Sequence, residues 1–146
     1  METIYGLYET LSEFIGIDAD LLLKISIALV ASFIFGMDRE IKMKGIGVKT
    51  TMIIFVASTV LTHVALEISY EHAAKQLRVV DPTRIPSYLL SSIGFLGAGL
   101  ILHKQNNVIA GLTTAAMVWS SVVLGIMIGF GYSREVMLIV VCFGQL

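Results

Sequence analysis

Four stretches of this chain run apolar for about the length of a bilayer, and each is bounded by charge or proline. They are about Ala19–Met37, Thr51–Glu67, Pro86–Leu102 and Leu112–Phe130, where a spanning helix takes roughly 20 mostly apolar residues. A fifth run begins near Glu135, continues through Val136–Phe143 and meets the end of the chain at Leu146. It covers only the start of a span, and reads as a cut through a longer protein. Glycine and threonine are dense inside the third and fourth runs, an awkward composition for a water-soluble core helix and an ordinary one for closely packed membrane helices. The pattern predicts an all-α, polytopic helical membrane protein, four complete spans plus the start of a fifth, in one transmembrane domain over residues 1–146.

Helical periodicity sorts the small residues into seams. The third span places Ser87, Ser91, Gly94 and Ala98 in one narrow stripe, with Gly97 and Gly99 beside it. The fourth aligns Thr114, Ser121, Gly125 and Gly129, with Trp119 on the opposite side and Gly111 and Thr113 at its entry. In the first, Lys24, Ala28, Ser32, Gly36 and Arg39 share a face, a small-residue seam with a cation at each end. Small-xxx-small spacing lets backbones approach closely, so these faces are expected to pack on one another within or between subunits, favouring a homodimer or higher homo-oligomer. Packing accounts for the small residues. It leaves unexplained why Asp38, Arg39, Glu40, Asp81 and Arg84 stand at the mouths of the seams, and membrane-edge ions default to a functional hypothesis.

Charge sets the orientation. Residues 1–20 hold Glu2, Glu9 and Glu13 and no Lys or Arg, whereas the far side of the first span carries Arg39, Lys42, Lys44 and Lys49. The positive-inside rule therefore predicts an outer N-terminus and a cytoplasmic Arg39–Lys49 loop. Ile68–Ile85 then forms an outer loop, with Glu71 and Lys75 paired at i,i+4 on a short interfacial helix that ends at Asp81-Pro82. Asp81 is expected to cap the third span or pair with Arg84, and Pro86 to kink or break the span's entry. Glu40 has Lys44 at i,i+4, and Leu102–Gly111 reads as a short polar inner loop. His63 and Glu67, also at i,i+4, read as an interfacial hydrogen-bonded pair, with cation binding or proton shuttling as the other possibility.

Composition narrows the function classes. Of 146 residues 56% are hydrophobic and 14% charged, with mean hydropathy +0.86, against roughly 25% charged in ordinary soluble domains. A net charge of −1 gives nucleic acid no basic surface. The single cysteine, Cys142, excludes an internal disulfide. Gly94-x-x-Gly97-x-Gly99 follows no strand and lacks an acidic residue some twenty positions on, so it is no dinucleotide fingerprint. Structural-zinc spacing, a nucleophile elbow and paired catalytic carboxylates are all missing from the sequence. The expectation is a protein without enzymatic activity, cofactor or bound metal.

In series, the blocks resemble the MgtC/SapB family of bacterial inner-membrane proteins. Gly36-Met37-Asp38-Arg39-Glu40 and Gly47-Val48-Lys49-Thr50 are similar to its blocks after the first span. Asp81-Pro82-Thr83-Arg84-Ile85 and Ile93-Gly94-Phe95-Leu96-Gly97-Ala98-Gly99 match its most distinctive region. Gly111-Leu112-Thr113-Thr114-Ala115-Ala116, with Trp119, Gly125 and Gly129, matches the next. Lys49 stands where Arg is usual, Tyr88 where Gln is, Ser92 where Gly is, and Pro86 replaces a helix former. The resemblance implies a multi-pass inner-membrane protein tied to growth in low Mg²⁺, acid stress and virulence, some of whose relatives are thought to restrain ATP synthase. Many relatives continue into a cytoplasmic domain, which this sequence lacks. Mg²⁺ surrenders water reluctantly and takes carboxylates, yet the middles of all four spans contain none. A regulatory or interaction protein is therefore the expected function, with a small cation (Mg²⁺) or proton transporter as the alternative.

Overall fold

The computed structural model describes residues 18–41, 45–75, 80–104 and 108–143, with residues 38, 102–104 and 108–109 by their backbone only. Among the described residues five helices follow in order: α1 (Ala19–Ile41), α2 (Val48–Ala74), α3 (Arg84–Leu100), α4 (Leu112–Gly129) and α5 (Ser133–Phe143). Among the described residues α1, α2 and α4 are long and apolar enough to cross a membrane. With 17 residues, α3 rises about 26 Å at 1.5 Å per residue, slightly less than the roughly 30 Å hydrocarbon layer. α5 has 11 residues.

The all-α expectation holds, with one addition. Leu102–Lys104 (β1) and Val108–Ala110 (β2) pair antiparallel, Leu102 opposite Ala110 and Lys104 opposite Val108. The stretch read as a polar loop is thus a small ribbon, consistent with Val108 and Ile109, β-branched residues that favour strands. Gly111, at φ +89°, turns the ribbon into α4. A Cβ there would lie 1.9 Å from the carbonyl oxygen of Leu100, so glycine is required twice over.

Several boundaries differ from the sequence reading. α1 runs past Met37 to Ile41, which keeps Asp38, Arg39 and Glu40 helical. α2 continues to Ala74, so Glu71 and Lys75, which form an ion pair, extend the second span instead of building a separate interfacial helix. Pro86 breaks nothing: it lies in the first turn of α3, where backbone N–H groups have no intrahelical partner anyway. The Lys42 and Lys44 expectations, the Glu40–Lys44 pair and residues 1–17 and 144–146 lie outside the described residues.

α2 and α4 form the centre. α1 and α4 flank α2, α3 packs chiefly on α4, and α5 folds back against α1. One apolar cluster joins Ala28, Ala31 and Phe35 of α1 to Phe55, Leu124, Ile128, Val136 and Val140. A second sets Ile93 of α3 against Val118, Val122 and Ile126 of α4, with Ile46. Phe95, Leu96, Trp119, Ile53 and Leu138 face outward, as side chains against lipid do.

Candidate functional site

A polar seam runs between α1, α2 and α4, with an ionic group at each end. Its close approaches fall on glycine. A Cβ on Gly36 would meet Thr51 Oγ1 at 2.4 Å and the Val48 Cα at 2.7 Å. On Gly125 it would meet Ser58 Oγ at 2.0 Å, and on Gly129 the Thr62 Cβ at 2.5 Å. The hydroxyls along the seam are buried and each bonds a carbonyl. Thr51 donates to Val48 (2.8 Å), Thr62 to Ser58 (2.8 Å), Ser121 to Met117 (2.8 Å), and Thr59 reaches across to Gly125 (2.9 Å). Burying a hydroxyl without a partner is costly. These are satisfied, so the seam's middle is a packed interface.

At one end lies Arg39, 5% exposed. Its Nη2 donates to Thr114 Oγ1 in the first turn of α4 (2.8 Å). Its Nε is the one buried side-chain nitrogen or oxygen without a hydrogen-bond partner among the described residues. Glu40 faces elsewhere: its Oε2 accepts the Val48 N–H (2.9 Å), capping α2 from the end of α1. Gly47 leaves room for that carboxylate, since a Cβ there would sit 1.7 Å from Glu40 Oε2.

At the other end Lys24 is 8% exposed and His63 is 4% exposed. Lys24 Nζ lies 2.6 Å from Asp20 Oδ2 and donates to His63 Nδ1 at 3.2 Å. The buried imidazole thus pairs with an ammonium on α1, where the sequence reading gave it Glu67. Glu67 remains close, and ligand atoms of Asp18, His63 and Glu67 lie within 4.8 Å of one another. Such a trio offers a cation two carboxylates and an imidazole, with the Lys24 charge opposing it.

α3 departs most from expectation. Leu89, Leu90 and Ile93 supply its contact with the bundle, and Gly97 approaches Ala115 at 3.8 Å. Ser87, Ser91, Gly94, Ala98 and Gly99 are exposed, and a Cβ on Gly94 or Gly99 would meet nothing within 4 Å. The branched side chains on the opposite face bury more apolar area, which turns the small stripe outward. Among the described residues it stays uncovered. Asp81 opens α3 from a turn: its Oδ1 accepts the Thr83 N–H (2.8 Å) and hydroxyl (2.7 Å). These bonds, the hydroxyl's first, hold its carboxyl below the ordinary value of 3.8. The helix cap itself is Thr83. Arg84 opens the helix and is exposed. The end of α3 abuts Gly111, beside Thr114 and Arg39, so Arg39 and Asp81 lie at opposite ends of the bundle.

The sequence reading missed the α2 half of the seam and the role of Asp20. The signal was present: Thr51, Ser58, Thr59 and Thr62 follow helical spacing, as the α1 and α4 stripes do.

Comparisons with known proteins bear on this architecture. No solved structure matches the chain. Protein SapB of Bacillus subtilis is 45% identical over 120 residues, 82% of this chain and 51% of the relative. YhiD of Escherichia coli, provisionally named a magnesium transporter, is 33% identical over 118 residues, 77% of this chain and 52% of that protein. Protein MgtC of Salmonella typhimurium is 27% identical over 124 residues, 83% of this chain and 49% of the relative. The chain therefore spans about half the length of the curated relatives it matches. The MgtC family model matches residues 25–145, from the first apolar helix to nearly the end, and this membrane protein belongs to the MgtC family.

Proposed function

We propose that the chain is a regulatory or interaction module of the bacterial inner membrane, linked to adaptation to low Mg²⁺ and acting through helix contacts. In this reading α3 is a fourth span, the N-terminus faces outward, and the partners are a second copy of the chain and another membrane complex. The observation that carries it is the α3 face. Ser87, Ser91, Gly94 and Ala98 form a smooth stripe that suits close helix–helix approach, and among the described residues no helix covers it. Against a conduit, the hydroxyls of the seam are bonded and its middle holds no acid, whereas hydrated Mg²⁺ would call for a ring of them. The names of the relatives, one of them a provisional magnesium transporter, support the Mg²⁺ link. This chemistry needs no enzymatic step and no cofactor.

The second reading, a small cation or proton transporter, draws on Asp18, His63 and Glu67. Purified protein in liposomes separates the two. The regulatory reading expects Mg²⁺ and proton fluxes equal to those of protein-free vesicles. A protein-dependent flux lost on Glu67→Gln would favour transport.

A further inference from the structure

We propose that the Arg39 end of the seam is a binding site for a phosphate group, and that a phospholipid headgroup at the membrane face supplies it. Four observations converge. Arg39 is 5% exposed, and among the described residues no carboxylate forms a salt bridge with it. Of its two neighbouring carboxylates in sequence, Glu40 is engaged at the Val48 N–H, and the Asp38 side chain lies outside the described residues. Among the described residues the buried guanidinium has no counter-charge, an arrangement that is strongly unfavourable and that a bound anion would compensate.

The second observation is the edge that Arg39 presents. Nε and Nη2 form the side of a guanidinium that grips an oxyanion with two parallel hydrogen bonds. Nη2 points at Thr114 Oγ1 in the first turn of α4, and Nε beside it has no partner. The fork is half used. Third, the helix end it points at is itself an anion site. Gly111 caps α4 with no side-chain hydrogen bond, and the first ladder bond is Ala115 N–H to the Gly111 carbonyl (2.9 Å). The N–H groups of Leu112, Thr113 and Thr114 precede that ladder and add positive potential. A cation and a helix N-terminus repel one another, and an oxyanion between them reverses the sign of the interaction. Fourth, Arg39 lies in the last turn of the 23-residue apolar helix α1, the level at which a bilayer places its phosphates. That position favours a lipid over a soluble anion.

The test follows the melting midpoint of the protein in a neutral maltoside detergent. It is titrated with phosphatidylglycerol, with inorganic phosphate, and with diacylglycerol as the phosphate-free control. A rise with phosphatidylglycerol alone is the expected result. A rise with both phosphate probes supports the site and its chemistry, with the acyl chains adding affinity. A rise with inorganic phosphate alone keeps the site and overturns its assignment to lipid. No rise with either, or an equal rise with diacylglycerol, overturns the proposal.

Thr114→Asp places a carboxylate on the Arg39 fork, so it should raise the midpoint without ligand and abolish the response. Arg39→Gln should raise the half-saturating concentration about tenfold or more, the scale of losing one charge-assisted contact. Should Arg39→Gln give no folded protein, Arg39→Lys decides, since it keeps the charge and loses the fork and should also weaken binding. Half-saturation unchanged from the wild type in Thr114→Asp, or in the Arg39 variant that decides, would overturn the proposal.

Discussion

Glu40 and Gly47 act as a single device at the α1–α2 turn. The carboxylate caps the first turn of α2, and the missing Cβ gives it space. Glu40→Ala should therefore cost about 1 kcal/mol, the usual scale for losing a cap. Gly47→Ala pushes the carboxylate aside and should cost a similar amount. Because both changes remove the same bond, the double variant should be about as unstable as the worse single one, a failure of additivity that a thermal or denaturant double-mutant cycle measures. Full additivity would separate the two residues. Asp81 makes a different prediction. Its carboxyl is held below 3.8 by the Thr83 hydroxyl and N–H, so its contribution is present above the unfolded value and lost as pH falls through the lower folded one. Asp81→Ala should lower the melting midpoint at neutral pH, and the gap from wild type should close once pH falls below the folded value. Asp81→Asn keeps an oxygen for the same turn and should hold the midpoint. Growth in low Mg²⁺ that fails with Asp81→Asn despite normal stability would assign the charge to function.

Among the elements, α2 and α4 carry the architecture, and their crossing rests on Gly125 and Gly129. Gly125→Leu would drive atoms into Ser58 Oγ and the Phe55 carbonyl, which lie 2.0 and 2.7 Å from even a Cβ. Overpacking typically costs about 1–3 kcal/mol, and with backbone on one side this site belongs at or beyond the upper end. Ala98→Leu should behave in the opposite way. Ala98 is exposed on α3, so the monomer tolerates it, and only an interface with a second copy would suffer. Crosslinking and light scattering in detergent should show a loss of oligomer with little change in midpoint. An unchanged subunit number would place the stripe against lipid. The contrast marks what was legible. Stripes on α1 and α4 could be read from spacing because small residues there coincide with buried positions. On α3 spacing identified the stripe but not its direction, since Leu89, Leu90 and Ile93 compete for the bundle and only packing decides. Arg39 was legible as an ion at a seam's mouth, whereas its partner Thr114, 75 positions away, required the fold.

The whole molecule is a bundle whose charges gather at its two ends. The end of α1, the start of α2, the end of α3 and the start of α4 meet around Arg39, Glu40 and Gly111, and Asp81 lies at the far end with the start of α3. Each end therefore exposes its own set of charges. The first carries Lys49 at the start of α2, and the second carries Glu71 and Lys75. Residues 1–20 contain acids and no Lys or Arg, so the positive-inside rule predicts that the second end faces outside. Lys75, Arg78 and Arg84 oppose that assignment, so the first span's asymmetry is the deciding term. Lys49→Cys and Lys75→Cys, each in a Cys142→Ala background, test it directly, since both lysines are exposed and neither is buried in the seam. In intact cells an impermeant thiol reagent should label the Lys75→Cys protein and leave Lys49→Cys unlabelled until the membrane is opened. Labelling of Lys49→Cys from outside would invert the bundle. It would also move Arg39 and its proposed phosphate site to the outer face.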